Sequence, residues 1–407
     1  MNRSPYAAGR CRSFALRAVV TLPAILMLLC LSPMVMKTTA QQVDLWIGSS
    51  KAGIYHMTLD TSKGELSQPV LASNMKGAGF LALHPNGKVL YATSRENSGE
   101  VTAFAITQKA AEKTSPSQPT AGHSKQLKQL GTLSTNDGGA ACIAVDQTGT
   151  VLMSAQYGGG SITTYRLNQA GDLDHRVQTV EHGQGSGIYK QRQETAHPHW
   201  VGTSPDNRFL MVPDLGMDQV VVYEMEPGTG RVRLKSKVAV PPGSGPRHMK
   251  FHPSGNYVFV LNELTLTISV FKYDPATGTL DDRYEIETLP DRLKDKHMNS
   301  AAEIRVHPSG RFVYTSNRGH DSISVFSFDP ENGKLELVER ESIRGSCPRN
   351  FNIDPTGKWL IAAGQHSNTL ALFEIDQETG ELVFARQVAN ATAPICVLFP
   401  SETSPGG

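Results

Sequence analysis

Cysteine is scarce in this chain, with five residues in 407, and no two of them stand in a C-x-x-C pair. That excludes a zinc-knuckle pattern and a disulfide framework. An excess of either charge is also missing, since 39 Lys and Arg face 38 Asp and Glu. A nucleic-acid partner is therefore not expected. No long helical period runs through the chain, and beyond Leu31 no apolar run is long enough to suggest a membrane span. Gly158-Gly159-Gly160 is followed by neither Lys-Ser/Thr nor a helix, so it reads as a tight turn and not as a phosphate loop.

The first forty residues are set apart from the rest. Arg3, Arg10, Arg12 and Arg17 form a basic start, an apolar run extends from Ala18 to Leu31, and Thr38-Thr39-Ala40 supplies small residues for cleavage. This is the pattern of a secretory signal peptide, so residues 1–40 are expected to be removed and the mature chain to begin near Gln41. The apolar run is shorter than the ~20 residues that span a bilayer. Leu28 and Leu29 before Cys30 do not fit a lipoprotein site. Removing the segment takes away five basic residues and no acidic ones, leaving 34 against 38 and a formal charge of −4. The expected location is periplasmic or extracellular, with no membrane attachment after cleavage. Cys142, Cys347 and Cys396 remain, an odd number, and each precedes or enters an apolar stretch. Such thiols behave as small hydrophobes and are expected to be buried and reduced.

What is abundant is a repeat. An apolar stretch, a turn of the form His-Pro-x-Gly or Asp-x-x-Gly, a second apolar stretch, a polar loop and a third alternating stretch recur. The turns begin at His84, Asp146, Ser204, His252, His307 and Asp354. Those intervals suit propeller blades and not helical solenoids. Within a unit, Tyr257-Val258-Phe259-Val260-Leu261 and Thr267-Ile268-Ser269-Val270-Phe271 read as strands, being β-branched, aromatic and alternating. A second turn family, Asp274 to Gly278, Asp329 to Gly333 and Asp376 to Gly380, opens on Asp and closes on Gly at a positive-φ position, joining a third strand to a fourth.

The ends settle the count. Residues 44–71 hold a second strand at Asp44–Gly48, a third strand and a turn, but no first strand, whereas Ile395-Cys396-Val397-Leu398-Phe399 is a first strand with nothing after it. Together they make one blade. The fold expected for residues 41–407 is all-β, a single seven-bladed β-propeller of four-stranded antiparallel blades. The ring is closed by pairing the N- and C-terminal strands, which leaves only short, protected edges. A monomer is the favoured state. Residues 107–130, rich in Lys, Gln, Ser and Pro, read as a solvated surface loop. Residues 181–198 and 284–301 lead into first strands.

In an up-and-down meander both turn families lie on one face, so His84, His252 and His307 are structural. The opposite face collects polar residues that no turn rule explains. His197-Pro198-His199, Arg247-His248, Ala302-Glu303 and Arg349-Asn350 precede or begin first strands, and Asp214, Asn262-Glu263, Asn317-Arg318-Gly319-His320 and Gln365-His366 end second strands. Because the first strand is innermost, Arg247 and Glu263 are expected to meet at the channel mouth, flanked by His199 and Arg318. An Arg fork binds carboxylates, phosphates and oxyanions through paired hydrogen bonds. Glu and His supply candidate bases. The same residues also suit ion pairs that stitch blades together, and composition leaves both readings open. His197 and His199 alternate like metal ligands, but no third histidine has fitting spacing, so neither a metal nor another cofactor is expected. No Ser-His-Asp arrangement is identifiable by spacing. Asn390-Ala391-Thr392 matches a glycosylation sequon.

Several segments at these loops are similar to those of the seven-bladed propeller lactonase family, which includes 6-phosphogluconolactonases and carboxymuconate lactonizing enzymes. They are Phe80–Gly87, Tyr157–Ser161, His197-Pro198-His199, Asp214-Leu215-Gly216, Gly245-Pro246-Arg247-His248, Asn262-Glu263-Leu264 and Ser316–Ser322, spread over nearly all of residues 44–400. The resemblance implies a metal-free site acting on a small-molecule lactone, with His199, Arg247, Glu263 and Arg318 as the active residues. His197, His248, Asn262, Asn317, His320 and Arg349 are the expected substrate-binding residues around them. Glu263 or His199 is expected to act as base and Arg247 and Arg318 to hold the substrate and oxyanion. Ser94-Arg95-Glu96, Gln156 and Gly364-Gln365-His366 depart from the family's usual residues at the mouth. The leader suits a sugar-type lactone met outside the cytoplasm, where 6-phosphogluconolactone is not ordinarily found. Two other functions use the same mouth: a non-catalytic propeller that binds a ligand or protein there, and a lactone-forming cycloisomerase.

Overall fold

The structure is a computed structural model that describes residues 42–94, 99–108, 124–294 and 299–400. The expected leader, residues 1–40, lies outside the described residues, as do Arg95-Glu96 and residues 109–123.

Seven antiparallel sheets form a ring, each a simple meander. Numbered along the chain, blade one combines Pro394–Leu398 with Gln42–Ser49, Ile54–Asp60 and an outer strand broken into Glu65–Leu66 and Val70–Ser73. The first strands of blades two to seven are Ala78–Leu83, Ala140–Val145, Gly202–Thr203, Pro246–Phe251, Ser300–Val306 and Pro348–Ile353. The closure is as expected, with Trp46 opposite Leu398 and Ile47 opposite Val397. The alternating strands bury one row of side chains against each neighbouring blade. Phe259, Leu261, Ile268 and Val270 of blade five pack with Ala301, Ile304, Val313 and Phe326 of blade six. Each such side chain contributes about 1.5–3 kcal/mol on burial.

The turn histidines are buried and latch neighbouring blades. His84 lies 2.9 Å from the Gly149 carbonyl, His252 3.1 Å from that of Gly310, and His307 2.7 Å from that of Gly357. The Asp-to-Gly turns also bind the neighbouring blade. Gly278, at φ 71°, rests on Phe209, and Gly64, at φ 68°, rests on Trp359, where a Cβ would lie within 3 Å of the ring. Trp359 Nε1 donates to the Thr61 carbonyl at 2.9 Å, joining blade seven to blade one. Cys142, Cys347 and Cys396 are buried thiols, none of them in a disulfide.

Two segment readings are corrected. Lys125–Ser134 is an outer strand paired with Glu100–Gln108, so the surface loop cannot extend through residue 130. Its fourth-strand register satisfies backbone groups that a loop would leave to water. Likewise Tyr284–Glu287 completes an outer strand, and a one-turn helix, Asp291–Lys294, follows it.

The feature that shapes the mouth is a β-bulge at the start of six first strands. Ala141, Arg247, Arg349 and Ile395 are each an extra residue against the paired second strand. Gly79-Phe80 stand opposite Thr93 alone, and Ala302-Glu303 opposite Ser316 alone. In the latter two the freed N–H is satisfied by a hydroxyl of the partner strand, Phe80 donating to Thr93 Oγ1 and Glu303 to Ser316 Oγ. A bulge breaks the alternation of a strand and re-aims its side chains.

Candidate active site

On the face opposite the His-Pro and Asp-Gly turns a cavity of about 460 Å³ opens on the ring axis. All seven blades contribute to its wall, which includes Phe80, Tyr157, His199, Arg247, His248, Glu263, Arg318, Arg349 and Ile395. Without the bulge at Arg247, that residue and His248 would point to opposite sides of the strand. With it, both line the cavity.

Glu263 is the hub. Its backbone N–H donates to the Gly245 carbonyl at 2.8 Å, which ties the end of the second strand to the loop that carries Arg247. Its Oε2 lies 2.9 Å from Arg247 Nε. The Arg247 N–H is not aimed along that line, so the contact is ionic and not a directed hydrogen bond. Its Oε1 lies 3.2 Å from an Arg318 guanidinium nitrogen and accepts from Arg192 at 2.6 Å. Burial alone would raise the Glu263 pKa, but Arg318, Arg247 and Arg192 outweigh it and hold the carboxyl down at about 2. A carboxylate so committed is a poor proton acceptor, and it is paired with three guanidiniums. Burial draws Arg247 below the ordinary arginine range, with Glu263 as the opposing counter-charge.

His199 is buried, and a guanidinium nitrogen of Arg247 lies 3.3 Å from its Nδ1. Burial first, then the charge of Arg247, keeps the ring neutral, well below the usual histidine pKa. His248 is also buried and lies 3.0 Å from Glu303 Oε1. Burial lowers its pKa to about 4 against the opposing pull of Glu303. The two rings meet edge to face with centroids 5.3 Å apart.

The expected cluster of His199, Arg247, Glu263 and Arg318 is thus assembled, with His248 and Arg349 on the same wall. Four expected contacts are corrected. Asn262 and Asn317 are fully buried inside their blades, the first donating to Thr267 and Ser269, the second to Ser322 and Ser324. They pin the tight turn between second and third strands and do not reach the cavity. His320 sits in such a turn, 2.8 Å from Ser322 Oγ. His197 stacks on Tyr157 with centroids 4.5 Å apart and lies 2.6 Å from the Tyr157 carbonyl oxygen, so it buttresses the wall from behind. Among the described residues no group of His, Cys, Asp and Glu is arranged to hold a metal.

Arg192 was not singled out by sequence. Its segment between blades three and four is anchored by Asp214, which accepts from His197 N–H at 2.7 Å and contacts His182 Nδ1 at 2.7 Å. Gln193 next to it donates to Asp218, which also accepts from the Gly243 and Gly245 N–H groups ahead of Arg247. One buried aspartate therefore sets the positions of two arginine-bearing loops. The unexplained length of residues 181–198 was the available signal.

A seven-bladed propeller with one axial, cation-lined cavity is the class defined by this fold and site. The chain belongs to the lactonase family of seven-bladed β-propellers, whose family model matches residues 44–399, and so is a lactonase-type hydrolase. It is 33% identical over 314 residues to a 6-phosphogluconolactonase of Bacillus subtilis, covering 77% of this chain and 84% of that one. It is 31% identical over 310 residues to a 6-phosphogluconolactonase of Formosa agariphila, covering 74% and 82%. The structure of the periplasmic gluconolactonase of Pseudomonas aeruginosa superposes with a TM-score of 0.78 at 26% identity, covering 88% of this chain and 99% of that one.

Proposed function

We propose that the chain opens a sugar-type lactone to its hydroxy acid in the channel-mouth cavity, in an exported setting. The observation that carries this reading is the charge pattern: among the described residues, four guanidiniums, those of Arg192, Arg247, Arg318 and Arg349, line the cavity with a single carboxylate, Glu263. Attack of water on a lactone carbonyl builds negative charge on its oxygen. Oriented cationic donors stabilise that charge more than they stabilise the neutral substrate. The hydroxy-acid product, once ionised, is an anion that the same forks accept. Arg247 and Arg318 hold the carbonyl oxygen, and Glu263 fixes their geometry. With Glu263 committed to ion pairs, proton removal from water falls to a neutral histidine.

The exported setting is supported by the basic, apolar and small-residue sequence of residues 1–40 and by the likeness to a protein named as periplasmic. No helix among the described residues is long and apolar enough to cross a membrane. The test is hydrolysis of glucono-δ-lactone, 6-phosphogluconolactone and an aliphatic lactone by the purified protein, read as proton release. Faster turnover of the unphosphorylated sugar lactone than of the aliphatic one is expected. Rates equal to those of buffer with all three would overturn the proposal.

A further inference from the structure

We propose that His248, oriented by the buried carboxylate of Glu303, is the base that takes the proton from the attacking water, while His199 beside it acts as a hydrogen-bond donor. The proposal rests on the lactonase reading and assigns its missing proton acceptor. Among the described residues two histidines line the cavity, and their partners decide which ring nitrogen carries the proton. A guanidinium can only donate, so His199 Nδ1 must accept from Arg247, leaving the proton on Nε2. A carboxylate can only accept, so His248 Nδ1 must carry the proton toward Glu303, leaving the Nε2 lone pair free. Among the described residues no protein group hydrogen-bonds to His248 Nε2.

Glu303 is built to stay ionised and still. Burial would raise its pKa, but Arg305, His248 and Lys250 hold it down at about 2. Asn350 donates its side-chain N–H to Oε2, and the Ile304 N–H donates to Oε1 at 3.1 Å. Glu303 is on the bulge of blade six, and His248 follows the bulge of blade five. The pairing therefore depends on two neighbouring distortions.

The step balances without a further reactant. Water transfers a proton to His248 Nε2 as its oxygen bonds to the carbonyl carbon, and the π pair moves to the carbonyl oxygen beneath the guanidiniums. The resulting imidazolium is stabilised by Glu303. On collapse the bond between the carbonyl carbon and the ring oxygen breaks, and that oxygen takes the proton back from Nε2. Water and lactone become hydroxy acid, and His248 is again neutral. Glu303 is a positioning residue, since it touches His248 and not the substrate.

The test measures kcat and KM for glucono-δ-lactone, or for whichever lactone of the panel is turned over, with His248→Gln, Glu303→Gln and His199→Gln. His248→Gln is expected to lower kcat by roughly 10²-fold or more, the scale of general-base loss, with KM within a few-fold. Glu303→Gln keeps an acceptor for Nδ1–H but removes the charge, and is expected to lower kcat about tenfold or more at unchanged KM. His199→Gln is expected to cost less than His248→Gln. Because buried variants can misfold, nitrogen-15 spectra of the wild-type imidazoles give a second reading, with His248 protonated at Nδ1 and His199 at Nε2. Wild-type activity with His248→Gln retaining more than about a tenth of kcat, or His248 protonated at Nε2, would overturn this assignment. Absence of wild-type hydrolysis would instead overturn the lactonase reading.

Discussion

Glu263→Gln keeps the shape of the hub and removes its charge. The side chain is 5% exposed and faces three guanidiniums, at 2.9 Å from Arg247, 2.6 Å from Arg192 and 3.2 Å from Arg318. Composition leaves open whether these residues pair across blades or do chemistry, and the observed burial makes loss of one partner costly to stability either way. Holding the carboxyl at about 2 when its ordinary value is 4.5 corresponds to about 3 kcal/mol of stability. That agrees with the ~3–5 kcal/mol cost of removing one partner from a buried ion pair. A lowered folded-state pKa gives stability that is fully present above the unfolded value and lost as pH falls through the folded one. The advantage of wild type over Glu263→Gln is therefore complete above about pH 4.5 and gone near pH 2. Denaturant melts of both proteins from pH 7 to pH 2 measure it, and a thermal melt at pH 7 is expected to show the Tm of the variant lower by roughly 4 °C. Equal stability at pH 7, or a gap that persists unchanged at pH 2, would refute the hub assignment.

Arg247→Lys replaces a fork with a point charge and is expected to lower lactone kcat about 10-fold or more, checked by proton release. His307→Ala removes the latch to Gly357 and is expected to cost about 1–2 kcal/mol in urea melts while leaving kcat unchanged, since it lies on the face away from the cavity. Gly64→Ala places a Cβ about 2.1 Å from Trp359 at positive φ and is expected to cost upward of roughly 2 kcal/mol, again read by urea melts. Deleting residues 394–407 removes the innermost strand of blade one and exposes the edge of Gln42–Ser49, so loss of the cooperative unfolding transition is expected in a calorimetric scan.

Blade number, ring closure and the face that carries the site were legible in the sequence because each depends on local, repeated chemistry. Strand alternation has a period of two, and Asp, Pro and Gly mark turns whose geometry they favour. The closure at Ile395–Phe399 followed from counting strands at both ends. The meeting of Arg247 with Glu263 followed from adjacent strands of one meander. What only the tertiary structure decided is where single side chains point. A bulge is an insertion relative to a partner strand, not a residue type, so nothing in Pro246-Arg247-His248 announces that both Arg247 and His248 turn to the axis. Asn262 and Asn317 sit beside site residues, yet full burial directs their amides into their own turns. Arg192 enters from a long connection whose path is set by Asp214 and Asp218, and Glu303 meets His248 only because neighbouring blades close on one another. The histidine tautomers depend on those partners, Arg247 for one ring and Glu303 for the other, and such pairings exist only once the ring has formed.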